Sequence, residues 1–263
     1  MEMLKAKVNG IELAYERHGV GTPLVLLHGY PLDHTIWEPV VLLLEKDFDM
    51  ILPDLRGFGG SAASPTPYLL NDLADDIARL LDQLGIKKAV IAGHSMGGYV
   101  ALAFAHSHPE RTLALGLVSS QAAADTPERK LGRFQLAVRV EANGVGEVVD
   151  SMPALLTGDA TLQIWLKELI LRQSPAGVAG ALRAMAERPD ASPFLLQFDF
   201  PVIIIHGQAD KIIPIARAVE MQVLTKGGVL DEVPAGHMPM MESPQTTAGD
   251  LKGLQIFKKS GLA

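Results

Sequence analysis

Apolar and polar residues alternate through Met3 to Val8 and Ile11 to Arg17, on either side of Asn9-Gly10. That dipeptide suits a two-residue turn, so the chain is expected to begin with an antiparallel hairpin. Pro23 to His28 breaks the alternation with Leu24-Val25-Leu26-Leu27. The run is too short for a helix and too apolar for a surface strand, which predicts a buried central strand ending at His28-Gly29. Further strands are expected at Asp49 to Pro53, Lys88 to Ala92, Leu113 to Ser119, Pro201 to His206 and Val229 to Val233, the fourth of these carrying Val-Ile-Ile-Ile. Helical spacing occupies the intervals: Val40 to Leu44, Leu69 to Leu84 with its stripe stopped by Gly85, Tyr99 to Ala105, and Thr246 to Lys259 with Pro244 two residues before it. Alternating strands and helices imply parallel pairing with right-handed crossovers, and a site at the carboxyl ends of the strands.

The rhythm changes between Ala122 and about Leu196. Four helical segments follow one another there, near Pro127 to Ala142, Val145 to Leu156, Thr161 to Gln173 and Ala176 to Glu187. Asn143-Gly144, Thr157-Gly158-Asp159 and Ser174-Pro175 separate them, so a helical insertion into the sheet is expected.

Composition narrows the function classes. The chain has 263 residues, 48% hydrophobic and 20% charged, enough for a sizeable core. Its net charge is −7 and no basic cluster exceeds a Lys-Lys pair, so nucleic acid is not an expected partner. Glu2, Lys5 and Lys7 interrupt the first apolar residues and no run reaches spanning length, which points to a cytoplasmic protein with no membrane partner. The absence of cysteine removes disulfides, thiolate metal sites and thiol nucleophiles, leaving chemistry to oxygen and imidazole.

The stretch that concentrates such chemistry is Gly93-His94-Ser95-Met96-Gly97, at the junction of a buried strand and a helix. A serine on a strained strand-to-helix turn needs neighbours without Cβ atoms, and the turn leaves the first amides of the helix free to face an oxyanion. Ser95 is therefore the candidate nucleophile. The glycines of Asp54-Leu55-Arg56-Gly57-Phe58-Gly59-Gly60-Ser61 lack phosphate-loop spacing and run into Ser64-Pro65-Thr66-Pro67, which marks a structural turn. A serine needs a base, and the base an orienting partner. His237 lies just beyond the last strand and Asp210 just beyond the Pro201 to His206 strand, giving the order Ser, Asp, His. Asp199 and Asp231 compete with Asp210; the first precedes its strand and the second lies inside one. His28, His94 and His206 read as structural, and His106 and His108 as helix-end residues.

Five motifs in order, His28-Gly29-Tyr30-Pro31, Asp54 to Gly59, Gly93 to Gly98, Gly207 to Asp210 and Gly236-His237, resemble the α/β-hydrolase family over nearly the whole chain. The resemblance implies an α/β fold with a mostly parallel central sheet, helices on both faces and a helical cap inserted after the sixth strand. It divides the chain into a core of residues 1–121 and 197–263 and a cap of 122–196. It also implies Ser95 as nucleophile, His237 as base, Asp210 as its partner, and an oxyanion hole from the backbone amides of Tyr30 and Met96, with no cofactor and no metal. The expected activity is hydrolysis of small carboxylic esters, with short acyl chains, through an acyl-enzyme. The alternatives are a lactonase similar to the 3-oxoadipate enol-lactonases, with a perhydrolase side reaction suggested by Pro31 after Tyr30, and a ligand-binding receptor that keeps the triad. Trp37, Phe134 and Trp165, with Phe194, are the aromatic candidates for the pocket. The cap is rich in Leu, Val, Ala and Met, and its sequence predicts an apolar pocket without a cationic pair for a substrate carboxylate.

Overall fold

A computed structural model describes residues 3–256. The strands are β1 (Leu4–Val8), β2 (Ile11–Gly19), β3 (Thr22–Leu27), β4 (Phe48–Pro53), β5 (Ala89–His94), β6 (Thr112–Val118), β7 (Val202–Gly207) and β8 (Val229–Val233). The helices are α1 (Glu38–Leu44), α2 (Leu70–Gln83), α3 (Met96–Ser107), α4 (Pro127–Asn143), α5 (Gly146–Leu156), α6 (Ala160–Leu171), α7 (Pro175–Ala186), α8 (Ser192–Leu195), α9 (Ile215–Leu224), α10 (Pro239–Glu242) and α11 (Pro244–Ile256).

The eight strands form one sheet in the order β1-β2-β4-β3-β5-β6-β7-β8. Pairing is antiparallel for β1 with β2 and β2 with β4, and parallel from β4 through β8. The opening hairpin turns at Asn9 (φ 44°) and Gly10 (φ 82°), the positive pair that a two-residue turn demands. Strands β5 and β7 are buried at every position, which explains why their sequences show no alternation. Two helix layers cover the sheet: α1 packs with α11, and α2 with α3.

Helices α4 to α7 follow the sixth strand as a cap, with α4 lying along α7. Thr126, Asp159 and Ser174 cap α4, α6 and α7 with side-chain oxygens, and Pro follows at once in α4 and α7. The cap is hydrogen-bonded to the core. Gln173 donates from Nε2 to Asp33 Oδ2 (3.1 Å) and accepts at Oε1 from the Gly59 amide (2.9 Å), while Ser174 Oγ donates to the Gly57 carbonyl. Gly57 (φ 84°) and Gly177 touch backbone to backbone, a contact that any Cβ on either would block. The Asp54 to Ser61 segment is thus the turn on which the cap rests. No helix among the described residues is long and apolar enough to cross a membrane.

Some details differ from the sequence expectation, the short helices α8 and α10 among them. Helix α9, between the Asp210 loop and β8, was not foreseen; only Ala218 and Met221 of it are buried, too thin a stripe to register as a period. The last helix begins at Pro244 itself, in the first-turn position proline tolerates, and the expected end at Lys259 lies outside the described residues.

Candidate active site

Ser95 sits between β5 and α3 at φ 52°, ψ −112°, a conformation costly for any residue with a Cβ. Its backbone is held on both sides. The amide donates to the Val118 carbonyl on β6 (2.9 Å), and the carbonyl accepts from Gly98, Tyr99 and Ser120 Oγ. The flanking glycines are required by close approach: a Cβ on Gly93 would strike the Gly97 carbonyl, and one on Gly97 the Leu27 and His28 carbonyls. Met96 and Tyr30 offer main-chain amides that make no backbone hydrogen bond among the described residues. The Met96 amide also opens α3, at the positive end of its dipole.

His237 and Asp210 meet although 27 residues separate them. His237 Nδ1 lies 2.7 Å from Asp210 Oδ2, with both side chains buried. An ionised carboxylate only accepts, so Nδ1 carries the proton and Nε2 is left as the acceptor. Asp210 Oδ1 accepts from the amides of Ile212 (2.8 Å) and Ile213 (3.0 Å). Burial pushes this carboxyl up, but the His237 hydrogen bond, its charge and the two amides outweigh burial and hold it below the usual carboxylate range. Asp199 instead pairs with Lys226 at the surface, and Asp231 stands beside Asp250.

The other histidines have structural partners. His94 is fully buried; burial, reinforced by the neighbouring His237 ring, drives its pKa well down. Being neutral, it donates from Nε2 to the His237 carbonyl (2.7 Å), so the residue before the serine steadies the loop of the histidine. His28 bridges the Gly29 carbonyl and the Leu55 amide, and His206 Nε2 bonds the Ile213 carbonyl beneath Asp210. His34, Asp33 and Asp54 form a buried cluster compact enough for a cation. Their atoms are engaged internally: Asp54 accepts from the His34 ring and amide and from Gly60, and Asp33 from Thr35 and Gln173. The cluster's evident work is to anchor the cap.

Ser95, His237 and Tyr30 line one cavity of about 430 Å³ together with Tyr99, cap residues and Lys211. The aromatic candidates lie elsewhere. Trp37 is fully buried in the core, Phe134 lies beneath the Lys130 ammonium, Trp165 packs on the core, and Phe194 stacks on His106 beside a different cavity. Large flat side chains served packing here, and the apolar wall is aliphatic: Leu136, Met152, Leu155, Leu182 and Met185. The expectation of a wall without a cationic pair is also corrected, because Arg129 and Arg133 of α4 both face this cavity. Their spacing of four residues places them on one face of a helix, a signal present in the sequence but easily taken for a solvated face.

The alpha/beta hydrolase fold profile matches residues 22–244. A thermophilic esterase from Thermogutta terrifontis, determined with malate bound, is 35% identical, with 98% of this chain and 99% of that one aligned at a TM-score of 0.92. The enol-lactonase from Burkholderia xenovorans LB400 is 25% identical over 96% of this chain and 100% of its own, at a TM-score of 0.89. The 3-oxoadipate enol-lactonase 1 of Acinetobacter baylyi is 29% identical over 97% of this chain and 91% of its own. Profile, sequence and superposition agree with the elbow and the sheet order that carries it: this chain belongs to the α/β-hydrolase family.

Proposed function

We propose that the protein is a serine hydrolase of small carboxylic esters, with residues 122–196 as a lid over a core of 1–121 and 197–263. The observation that carries this reading is the opening of Ser95 and the Asp210-paired His237 into one cavity, beside two amides without backbone partners. Ser95 Oγ attacks the ester carbonyl carbon and its proton passes to His237 Nε2. The amides of Tyr30 and Met96 hold the oxyanion. The C–O bond to the alcohol breaks as His237 returns the proton to the leaving oxygen, and the acyl group stays on Ser95. Water then attacks the acyl carbon, gives its proton to His237, and the carboxylic acid leaves as Ser95 regains a proton. No step draws on a cofactor.

A lactone is an internal ester and passes through the same steps, its leaving alcohol remaining attached. The likeness to two enol-lactonases favours keeping this second reading. Purified protein assayed on short acyl esters and on lactones separates the two by kcat/KM. An organophosphonate should add one group to the wild type and none to Ser95→Ala. Labelling that persists at another serine overturns the assignment, and a chain that binds esters but does not turn them over is a receptor.

A further inference from the structure

Three guanidiniums converge on one carboxylate at the edge of the cavity. Asp125, almost wholly buried, lies 2.5 Å from Arg133 Nε, 2.9 Å from Arg188 Nη1 and 3.5 Å from Arg129 Nε. Among the described residues no other carboxylate pairs with any of these arginines, so the cluster carries uncompensated positive charge. Arg188 is spoken for by stacking on Tyr99 (4.1 Å) and by the carbonyls of Met185 and Ala123. Arg129 and Arg133 line the cavity that holds Ser95 and His237. Arg129 has the loosest tie to Asp125, and a second nitrogen of Arg133 reaches only the Met185 sulfur, a weak acceptor. Lys211 adds another cation to the same wall, and no Asp or Glu lines it.

A second observation points the same way. The Tyr30 hydroxyl is buried and has no hydrogen-bond partner among the described residues, although Tyr30 lines this cavity. Burial raises its phenol far above the ordinary value, with Arg133 near enough to oppose the rise, so it is a neutral donor waiting for an acceptor. Arg129 is destabilised as a cation, first by burial and further by Arg133 and Arg188, which Tyr99 and Asp125 only partly offset. An anion at this place would relieve all these groups together.

We propose that the cavity takes an ester whose acyl part carries a carboxylate, anchored by Arg129 and Arg133 with the Tyr30 hydroxyl: the half-ester of a short dicarboxylic acid. The inference rests on the ester-hydrolase reading and names its substrate class. Guanidinium forks bind carboxylates through two parallel, charge-assisted hydrogen bonds, which fixes orientation as well as affinity. Tyr30 sets the length: its amide is assigned to the oxyanion and its hydroxyl to the remote carboxylate, so one side chain spans the distance between the scissile carbonyl and the charged end. That span fits a short diacid and disfavours a long one.

The test compares kcat/KM for monomethyl succinate, glutarate and adipate with that for methyl pentanoate, a neutral ester of similar size. The half-esters should be preferred, and added salt should shrink the preference. Arg129→Gln should cut the ratio of charged to neutral activity by roughly 10- to 100-fold, the worth of a charged hydrogen-bonded pair. Arg129→Lys should retain part of it, and Tyr30→Phe should lower the ratio less. Calorimetric titration of the wild type with glutarate is independent of turnover, and binding there should weaken with salt and with Arg129→Gln. Brisk hydrolysis of methyl pentanoate with no preference for half-esters, and no binding of glutarate, overturns the anionic class while leaving the ester reading intact. Binding of glutarate with turnover of no ester or lactone supports the anion site and overturns the hydrolase reading. Neither binding nor turnover overturns both.

Discussion

The sheet side and the cap side of the cavity differ in how their polar groups are partnered. On the sheet side Asp210 accepts from His237 and two amides, the His237 carbonyl is taken by His94, and the Ser95 backbone is bonded in both directions. On the cap side three arginines share one carboxylate. The first has its hydrogen-bond partners in place, as the proposed triad would need in order to meet developing charge without reorganising. The second is left incomplete, which suits groups whose work is to choose a ligand.

Breaking the sheet side should cost the most. Ser95→Ala and Ser95→Gly should each lower kcat by roughly 10⁶-fold, the loss expected when the nucleophile of a triad goes. Their stabilities should differ, because glycine accepts φ 52° without a Cβ penalty: Ser95→Gly should melt above Ser95→Ala. Equal melting temperatures would remove the claim that the elbow is strained. Next, Asp210→Asn should lower kcat by roughly 10⁴-fold, since an amide oxygen cannot hold the imidazole as a carboxylate does. Asp210, held below the usual carboxylate range, should stay ionised down to that range and so add no proton of its own to the acid limb of the kcat/KM profile. A two-proton acid limb would contradict this.

Changes on the cap side should alter choice more than rate. Leu136→Ala enlarges the aliphatic wall and should shift preference toward longer acyl chains by a few-fold per methylene, each being worth about 0.8 kcal/mol when buried. Trp165→Ala, away from the wall, should lower the melting temperature without moving the chain-length profile. A profile moved by Trp165→Ala would show that the wall extends further than the cavity does. The smallest effect lies outside both sides. Burial, together with the adjacent Asp231, raises the Asp250 carboxyl to about 7. A raised carboxyl favours the folded state below its unfolded pKa, and that advantage is lost as pH rises from roughly 4 toward 7. Asp250→Asn should therefore gain melting temperature over the wild type progressively across that window, and no further above it.

What the sequence made legible follows from local physics. The apolar runs of β3, β5 and β7 declare buried strands, and the cap helices announce themselves through the breaks at Asn143-Gly144, Thr157-Gly158-Asp159 and Ser174-Pro175. The glycines around Ser95 are legible because only a close approach requires them at that spacing. What stayed hidden depends on which face of an element meets which neighbour. Trp37, Phe134 and Trp165 were candidates by size alone, and size is equally a reason to fill a core. Arg129 and Arg133 pointed inward because Asp125, eight residues before Arg133, is buried beside them, a fact of tertiary packing that no helical period encodes. The choice of Asp210 over Asp199 and Asp231 likewise became a distance only once the loops were folded together.

The main chain of His237 is gripped from two directions: its amide donates to the Leu156 carbonyl at the end of α5 (2.9 Å), and its carbonyl accepts from His94 in the elbow. The roof and the base therefore share a fastening. Lifting α5 would pull on the peptide that carries the imidazole, so the height of the roof and the aim of His237 are tied through one hydrogen bond. A roof exchanged for that of a relative would keep this tie only where a carbonyl stands at the position of Leu156.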